Sequence, residues 1–288
     1  MMDQFLPPSA TEPAYRVDAY PPDLPGLPWV VYRRVGDRLL RLWFRYPEKA
    51  ADRAHPAVLF FFGGGYRIGT PTQFDYQARA LAAAGVVGIL ADYRVASRAG
   101  VPPADWAEDA RGASALVRTS AERLGLDAAR IAAAGGSAGG HLAAGLSTFA
   151  RPQSGPGPSA LALYNPLLVT APLPGIFELD PERVEFFEKA IGWPAKSISA
   201  AHHLGPDLPP TLIMHGEDDA LIPCASASAF DRLAGRLGLD CRLITYPGAD
   251  HGFFNAGASQ GNSRLRDTTR ELLRFLGRIG WIEAETAV

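Results

Sequence analysis

Gly135-Gly136-Ser137-Ala138-Gly139 follows directly on the apolar run Ile131-Ala132-Ala133-Ala134, and this junction constrains the chain more than any other feature. A short buried strand, a tight turn carrying a serine and then a helix-forming stretch from Gly140 to Ala150 is the setting of a G-x-S-x-G nucleophile elbow. There the serine takes a strained backbone conformation, and neighbouring chains come so close that the flanking positions have no room for side chains. Gly135 and Gly139 meet that demand. Ser137 Oγ is then expected at the N-terminus of a helix whose dipole favours developing negative charge. Glycine occupies 30 of 288 positions, so roughly 0.15 such patterns arise by chance, and the surroundings must carry the reading.

The surroundings alternate strand and helix. Trp29 to Val35 and Leu39 to Tyr46 read as two strands joined around Gly36-Asp37, a hairpin signal. Ala57 to Phe62 is a continuous apolar run, as expected of a strand buried on both faces. A helix follows with Thr72 as N-cap, with Phe74, Ala78 and Leu81 on one face and Gly85 as its stop. Val86 to Ala91 is the next strand, and a helix runs from about Ala104 to Leu124. Ile131 to Ala134, Ala160 to Tyr164, Thr211 to Met214 and Cys241 to Thr245 complete the strands. A helix carrying Phe230, Leu233 and Leu237 lies between the last two, and a final helix spans Ser263 to about Ile279. An antiparallel start followed by β-α alternation predicts an α/β fold, with a mostly parallel eight-stranded sheet and helices on both faces. The domain reading is an extended, Pro-rich arm over 1–28, then a single domain over 29–288. Residues 166–208 fit the alternation poorly and form a candidate lid insertion after the sixth strand.

Composition excludes several function classes. The formal net charge is −2 and 20% of residues are charged, which argues against a polyanion-binding surface and so against nucleic acid. No apolar run reaches the 18 or so residues of a membrane span. The N-terminus lacks a basic start and apolar h-region, so the expected location is cytoplasmic, or secreted if a leader has been removed. Cys224 and Cys241 are too few for a disulfide framework and lack metal-type spacing, and neither a metal nor an organic cofactor is expected.

A serine hydroxyl is a poor nucleophile until a base removes its proton. Of the six histidines only His251 lies beyond the last strand, in the glycine-bounded loop Gly248-Ala249-Asp250-His251-Gly252; the others read as structural. The acid is expected at the end of the strand Thr211 to Met214, where Glu217, Asp218 and Asp219 compete. Its role is to accept the Nδ1–H bond of the histidine and stabilise the imidazolium. Phe62-Gly63-Gly64-Gly65-Tyr66 follows the third strand, and a glycine run there lets backbone N–H groups face an oxyanion without obstruction. Gly64, Gly65 and Ala138 are the expected donors. Tyr66, Asn165, Phe253 and Phe254 are candidate pocket residues near the serine.

These motifs, with Asp92-Tyr93-Arg94, Leu208-Pro209-Pro210-Thr211-Leu212-Ile213-Met214-His215-Gly216 and His251-Gly252-Phe253-Phe254-Asn255, resemble the α/β-hydrolase superfamily. Within it they resemble the esterase branch with an H-G-G-G oxyanion loop, and more narrowly bacterial acetyl-xylan-esterase-like and feruloyl-esterase-like enzymes. The resemblance covers about Val30 to Leu276. It favours Asp219 as the acid, three residues after Gly216 and four before Pro223, with Asp218 second. It implies a serine esterase acting through an acyl-enzyme on Ser137, His251 and Asp219. The implied substrates are short-chain small-molecule or saccharide esters, acetyl esters of carbohydrates first among them. Phe62 departs from the branch, where a histidine braces the oxyanion loop; Phe62 is expected to brace it by packing. A general carboxylesterase and a small prolyl-oligopeptidase-like peptidase are the alternatives, and a non-catalytic binding protein on the same fold is a third.

Overall fold

Val58 and Phe60 point to one side of the third strand and Leu59 and Phe61 to the other, and each pair enters a separate buried cluster. That period-2 division is how a strand buried on both faces feeds two cores. The computed structural model describes residues 2–48, 54–99, 105–149 and 157–282. Its strands are β1 (Trp29–Val35), β2 (Arg38–Arg45), β3 (His55–Phe61), β4 (Val87–Ala91), β5 (Leu126–Gly136), β6 (Leu161–Tyr164), β7 (Thr211–Gly216) and β8 (Cys241–Tyr246). They form one sheet in the order β1-β2-β4-β3-β5-β6-β7-β8. β2 pairs antiparallel with β1 and β4, and every other neighbouring pair is parallel.

The helices are α1 (Asp75–Ala83), α2 (Ala96–Ala99), α3 (Asp105–Thr119), α4 (Ala138–Thr148), α5 (Pro181–Ile191), α6 (Cys224–Arg236) and α7 (Ser263–Arg278). One face of the sheet packs on Trp106, Ala110, Ala113 and Val117 of α3, Leu142 and Leu146 of α4, and Phe230 of α6. The other packs on Ala78 and Leu81 of α1 and on Leu272, Phe275 and Leu276 of α7. The chain is thus an α/β fold with a mostly parallel eight-stranded sheet between two helical layers. Ala104 and Ala150, the outer ends expected for two helices, lie outside the described residues, as do the last residues of the domain span, 283–288.

Three local expectations shift. The helix expected from Thr72 begins at Asp75, because Pro71–Phe74 forms a tight 3-10 turn with proline at its start. The elbow strand is longer than Ile131 to Ala134: it begins at Leu126, opposite His55. The long helix ends at Thr119, and Glu122–Leu124 makes a separate 3-10 turn closed by left-handed Gly125.

The arm over 1–28 starts with a 3-10 turn at Met2–Phe5 and then follows the surface without strand or α-helix. Polar contacts fasten it. Tyr76 Oη donates to Pro7 O at 2.8 Å and Asn262 Nδ2 to Ser9 O at 2.8 Å. Tyr15 N–H donates to Ala256 O at 2.9 Å, and Tyr20 Oη to Asp92 Oδ2 at 2.9 Å. Between β6 and β7, residues 166–208 carry α5 and two 3-10 turns, Ala195–Ile198 and Ala200–His203. No described helix is long and apolar enough to cross a membrane. Cys224 and Cys241 are free thiols.

Candidate active site

Phe61 lies beside Gly135, Gly136 beside Tyr164, and Gly216 beside Tyr246. The loops leaving β3, β5, β6, β7 and β8 therefore meet at one edge of the sheet. This edge, outside the carboxyl ends of parallel strands, is where open α/β sheets build their sites.

The elbow after β5 is held by close backbone approach. A Cβ on Gly139 would lie 2.1 Å from Phe61 O and 2.4 Å from Phe62 O, and one on Gly135 would lie 2.4 Å from Gly139 C. Only glycine fits either position. Ser137 between them has φ 54° and ψ −118°, a conformation that costs a non-glycine residue about 1–3 kcal/mol. It is fixed by its N–H donating to Tyr164 O and its carbonyl accepting from His141 N–H, each at 2.9 Å.

Ser137 Oγ lies 2.9 Å from His251 Nε2, and His251 Nδ1 lies 2.7 Å from Asp219 Oδ2. The carboxylate is the only one of the three competing acids to turn inward. Asp219 is buried, whereas Glu217 and Asp218 are exposed, and Glu217 Oε1 accepts from Thr245 Oγ1 at 2.7 Å. Asp219 Oδ1 accepts the N–H groups of Leu221 and Ile222 at 3.0 and 2.8 Å. Its Oδ2 also faces His215 Nε2 at 3.2 Å. Burial pushes this carboxyl up. The hydrogen bonds from His215, His251 and Ile222 outweigh it and hold the group well below the usual carboxylate range. Asp219 therefore stays ionised, and a negative charge beside Nδ1 favours the tautomer whose Nε2 accepts a proton from Ser137.

His215 was expected to be structural. Its Nε2 also faces Ile222 O at 2.8 Å, so one ring nitrogen serves both the acid and the loop that carries it. Its position at the strand end, four residues before Asp219, was the available signal.

The oxyanion loop is fastened at its first peptide. Phe62 O accepts from Tyr93 Oη at 2.7 Å, and Gly63 N–H donates to Gln73 Oε1 at 2.6 Å. Phe62 stacks on Tyr93 with ring centroids 4.1 Å apart, so packing does brace the loop where a histidine was absent. Gly63 N–H is already engaged. The next amides are those of Gly64, with φ 123°, and Gly65, at the exposed tip. Across from them Ala138 opens α4, where a helical N–H has no intrahelical acceptor. The loop reaches the elbow at Gly63, where an added Cβ would lie 3.3 Å from Ser137 Cβ.

The candidate pocket residues are placed differently from expectation. Phe253 and Phe254 are 2% and 1% exposed and belong to the α1–α7 core. Phe254 stacks on Phe74 at 5.5 Å, and Phe253 packs on Tyr246 at 4.9 Å. Phe254 lies against the elbow, where a Cβ on Gly136 would meet its ring at 2.5 Å. Tyr66 stacks on Trp106 at 4.5 Å, and its hydroxyl donates to His141 Nδ1 and lies 3.3 Å from Ala138 O. It ties the oxyanion loop to the elbow helix instead of facing open space. Burial lowers His141 to about 4, so the ring is neutral and free to accept there. Its Nε2 faces Ile198 O of the insertion at 2.7 Å. Asn165 does join the site. Its Nδ2 lies 3.1 Å from His251 Nδ1 and 3.2 Å from Nε2. Equal distance from both nitrogens sets the amide over the ring face, since the in-plane directions lead to Asp219 and Ser137. Among the described residues no group of three metal-ligating side chains converges.

Residues 58–255 match the family described as alpha/beta hydrolase fold. Carboxylesterase NlhH of Mycobacterium tuberculosis is 29% identical over 221 residues, which is 69% of this chain and 67% of that protein. An acetylxylan esterase of Xylanibacter ruminicola is 30% identical over 215 residues, 72% of this chain and 42% of its own length. The thermophilic esterase Est2 of Thermogutta terrifontis superposes with a TM-score of 0.85 at 34% identity, covering 94% of this chain and 98% of its own. Structures of the same esterase exist with propionate and with butyrate bound.

Proposed function

That the chain belongs to the α/β-hydrolase family and is a carboxylic ester hydrolase is the premise from which we propose its mechanism and substrate class. The proposed substrates are short-chain esters, acetyl esters of carbohydrates first among them, cleaved through an acyl-enzyme. The observation that carries the mechanism is the unbroken chain of hydrogen bonds Ser137–His251–Asp219, at 2.9 and 2.7 Å.

In this reading Ser137 Oγ attacks the ester carbonyl while His251 Nε2 takes its proton. Asp219, ionised and fixed by two backbone amides, stabilises the imidazolium. The amides of Gly64, Gly65 and Ala138 receive the oxyanion. His251 then gives the proton to the departing alcohol. A water, deprotonated by the same nitrogen, hydrolyses the acyl-enzyme and returns Ser137 to its starting state. No metal or organic cofactor takes part in this scheme.

The acyl preference is supported by the propionate and butyrate ligands of the related esterase. It is also supported by the insertion, whose one α-helix carries Glu182, Arg183, Glu185, Glu188 and Lys189 and offers no continuous apolar cover for a fatty chain. The acetylxylan esterase relative supports the saccharide. A second reading, a carboxylesterase indifferent to the alcohol, is favoured by the likeness to NlhH.

The test is kcat/KM for p-nitrophenyl acetate, butyrate and octanoate, followed by acetate release from acetylated xylan. Each methylene that can be buried is worth about 0.8 kcal/mol, or roughly fourfold, so an open pocket improves steadily toward octanoate and a short one falls. A maximum at octanoate rejects the short-acyl pocket. Good acetate-ester turnover without release from any acetylated sugar selects the second reading. Ser137→Ala should lose at least ~10³-fold in kcat; retention of more than a tenth would remove Ser137 as nucleophile.

A further inference from the structure

Gln73 is a buried polar side chain with both of its polar atoms engaged, and its two partners stand on different loops of the site. Oε1 accepts Gly63 N–H at 2.6 Å. Nε2 donates to Asn255 Oδ1 at 2.9 Å, 182 residues away in sequence. Gly63 is the first residue of the oxyanion loop, packed so tightly on the elbow that an added Cβ would meet Gly136 O at 2.8 Å. Asn255 closes the turn after His251, its N–H donating to Gly252 O at 2.9 Å.

A peptide plane is oriented when both its polar ends are held. The Phe62–Gly63 peptide is held at its carbonyl by Tyr93 Oη and at its amide by Gln73. Its orientation sets the direction of the Gly64 and Gly65 amides that follow. The other end of Gln73 refers that orientation to the loop carrying His251. The neighbouring contacts run in parallel: Thr70 N–H donates to Tyr15 Oη at 3.3 Å, and Tyr15 N–H donates to Ala256 O at 2.9 Å. The arm therefore spans the same two loops from outside.

We propose that Gln73 is a positioning residue that holds the oxyanion amides in register with the Ser137–His251 pair, acting through Gly63 on one side and Asn255 on the other. This rests on the esterase reading above. A misdirected donor weakens the tetrahedral state far more than the bound ester, because the oxyanion amides are aimed at charge that develops only in that state. The signature is a loss in kcat at nearly constant KM, the same for every acyl chain.

The experiment compares Gln73→Leu and Asn255→Ala with the parent and with Ser137→Ala, using p-nitrophenyl acetate and butyrate. It adds the inhibition constant of phenylboronic acid, which forms a tetrahedral adduct on the serine. Gln73→Leu should lower kcat by about tenfold or more, with KM within about threefold, and should weaken the boronic acid by a similar factor; complete loss of a single oxyanion donor, ~10²–10³-fold, is the upper bound. Asn255→Ala should show the same pattern at smaller amplitude, and the double variant should cost no more than Gln73→Leu alone. Gln73→Leu with kcat within twofold of the parent overturns the proposal, as does a loss confined to KM or one that leaves boronic acid affinity unchanged. If Gln73→Leu does not fold, Asn255→Ala reads the same bridge from its other end, and an unchanged kcat there overturns it. An inactive Ser137→Ala beside a fully active Gln73→Leu removes the bridge and leaves the esterase reading standing. An active Ser137→Ala removes that reading instead.

Discussion

The two halves of the site are held by different forces. On the nucleophile side, position comes from backbone against backbone: Gly135 and Gly139 leave no space for a Cβ, and Ser137 sits strained between them. On the acid–base side, position comes from side-chain hydrogen bonds. His251 is gripped by Asp219 in its plane and by Asn165 on its face, and Asp219 by two amides and His215. Steric fixation is nearly all-or-none, because a close-packed backbone cannot yield by a fraction of an ångström without moving a strand. Hydrogen-bonded fixation is graded, and each bond can be removed singly. The first half should therefore answer mutation through folding and the second through turnover.

Asp219→Asn makes the sharpest separation. It keeps the shape and loses the charge and the correct acceptor, so kcat should fall by ~10⁴-fold, as an equivalent change does in serine-protease triads. Melting temperature should also fall by several degrees, because an amide N–H then faces ring N–H groups where Asp219 accepted, but the loss of turnover should far exceed what that destabilisation explains. Asp218→Asn, at an exposed carboxylate, should stay within about twofold. Parallel kinetics and thermal melts on both variants check this, and an equal loss in the two would break the division of roles between the acids.

Gly139→Ala should behave oppositely. Its Cβ would stand 2.1 Å from Phe61 O, and overpacking of this kind costs about 3 kcal/mol or more. The expected result is a protein that unfolds at markedly lower urea or fails to accumulate. A variant that folds normally but turns over slowly would show that the elbow, too, is graded.

The elbow half has one ionisable weak point. His141 accepts from Tyr66 only while neutral, and burial lowers it from 6.5 to about 4. Between those values the unfolded chain binds a proton that the folded chain does not. Stability should therefore fall by about 3 kcal/mol as pH drops from 6.5 toward 4, and this histidine's share of the loss levels off below that. Asp219 adds little slope in that window, since its carboxyl is ionised in both states until pH enters the ordinary carboxylate range; below it the unfolded chain takes up a proton first and Asp219 adds its own loss. Urea unfolding at pH 7 and pH 4.5 should show the loss, and His141→Gln should shrink the difference between the two pH values. An unchanged difference in His141→Gln would remove the histidine as its source.

The smallest effect is the control for the steric argument. Gly235 lies inside α6, and a Cβ there meets nothing within 4 Å. Gly235→Ala, in the last turn of α6, should stabilise by at most about 0.5 kcal/mol through helix propensity alone, with kcat unchanged. Destabilisation would mean that crowding cannot be read from Cβ distances in this fold.

The nucleophile half was largely legible in the sequence because its determinants are local. Glycines at fixed offsets from a serine, an apolar run before it and a helix-forming run after it are properties of consecutive residues, and they follow from the limits on φ and on backbone approach. The strand–helix alternation was legible for the same reason, down to boundaries that Pro71 and the β3–β5 register moved by a few residues. The acid–base half was less so: His251 was singled out by its place beyond the last strand and Asp219 only by the family resemblance, because these residues meet across tens or hundreds of positions. Glu217, Asp218 and Asp219 are adjacent carboxylates. Which one turns inward depends on the amides of Leu221 and Ile222 and on His251, 32 residues away. Two aromatic residues following a histidine gave no indication that Phe253 and Phe254 would enter the core. Nor could any local pattern show that Gln73, in a short turn, would reach Gly63 on one side and Asn255 on the other. Period and steric limits act within a few residues and can be read along the chain; the partner of a polar side chain is chosen by packing, which only the folded sheet brings about.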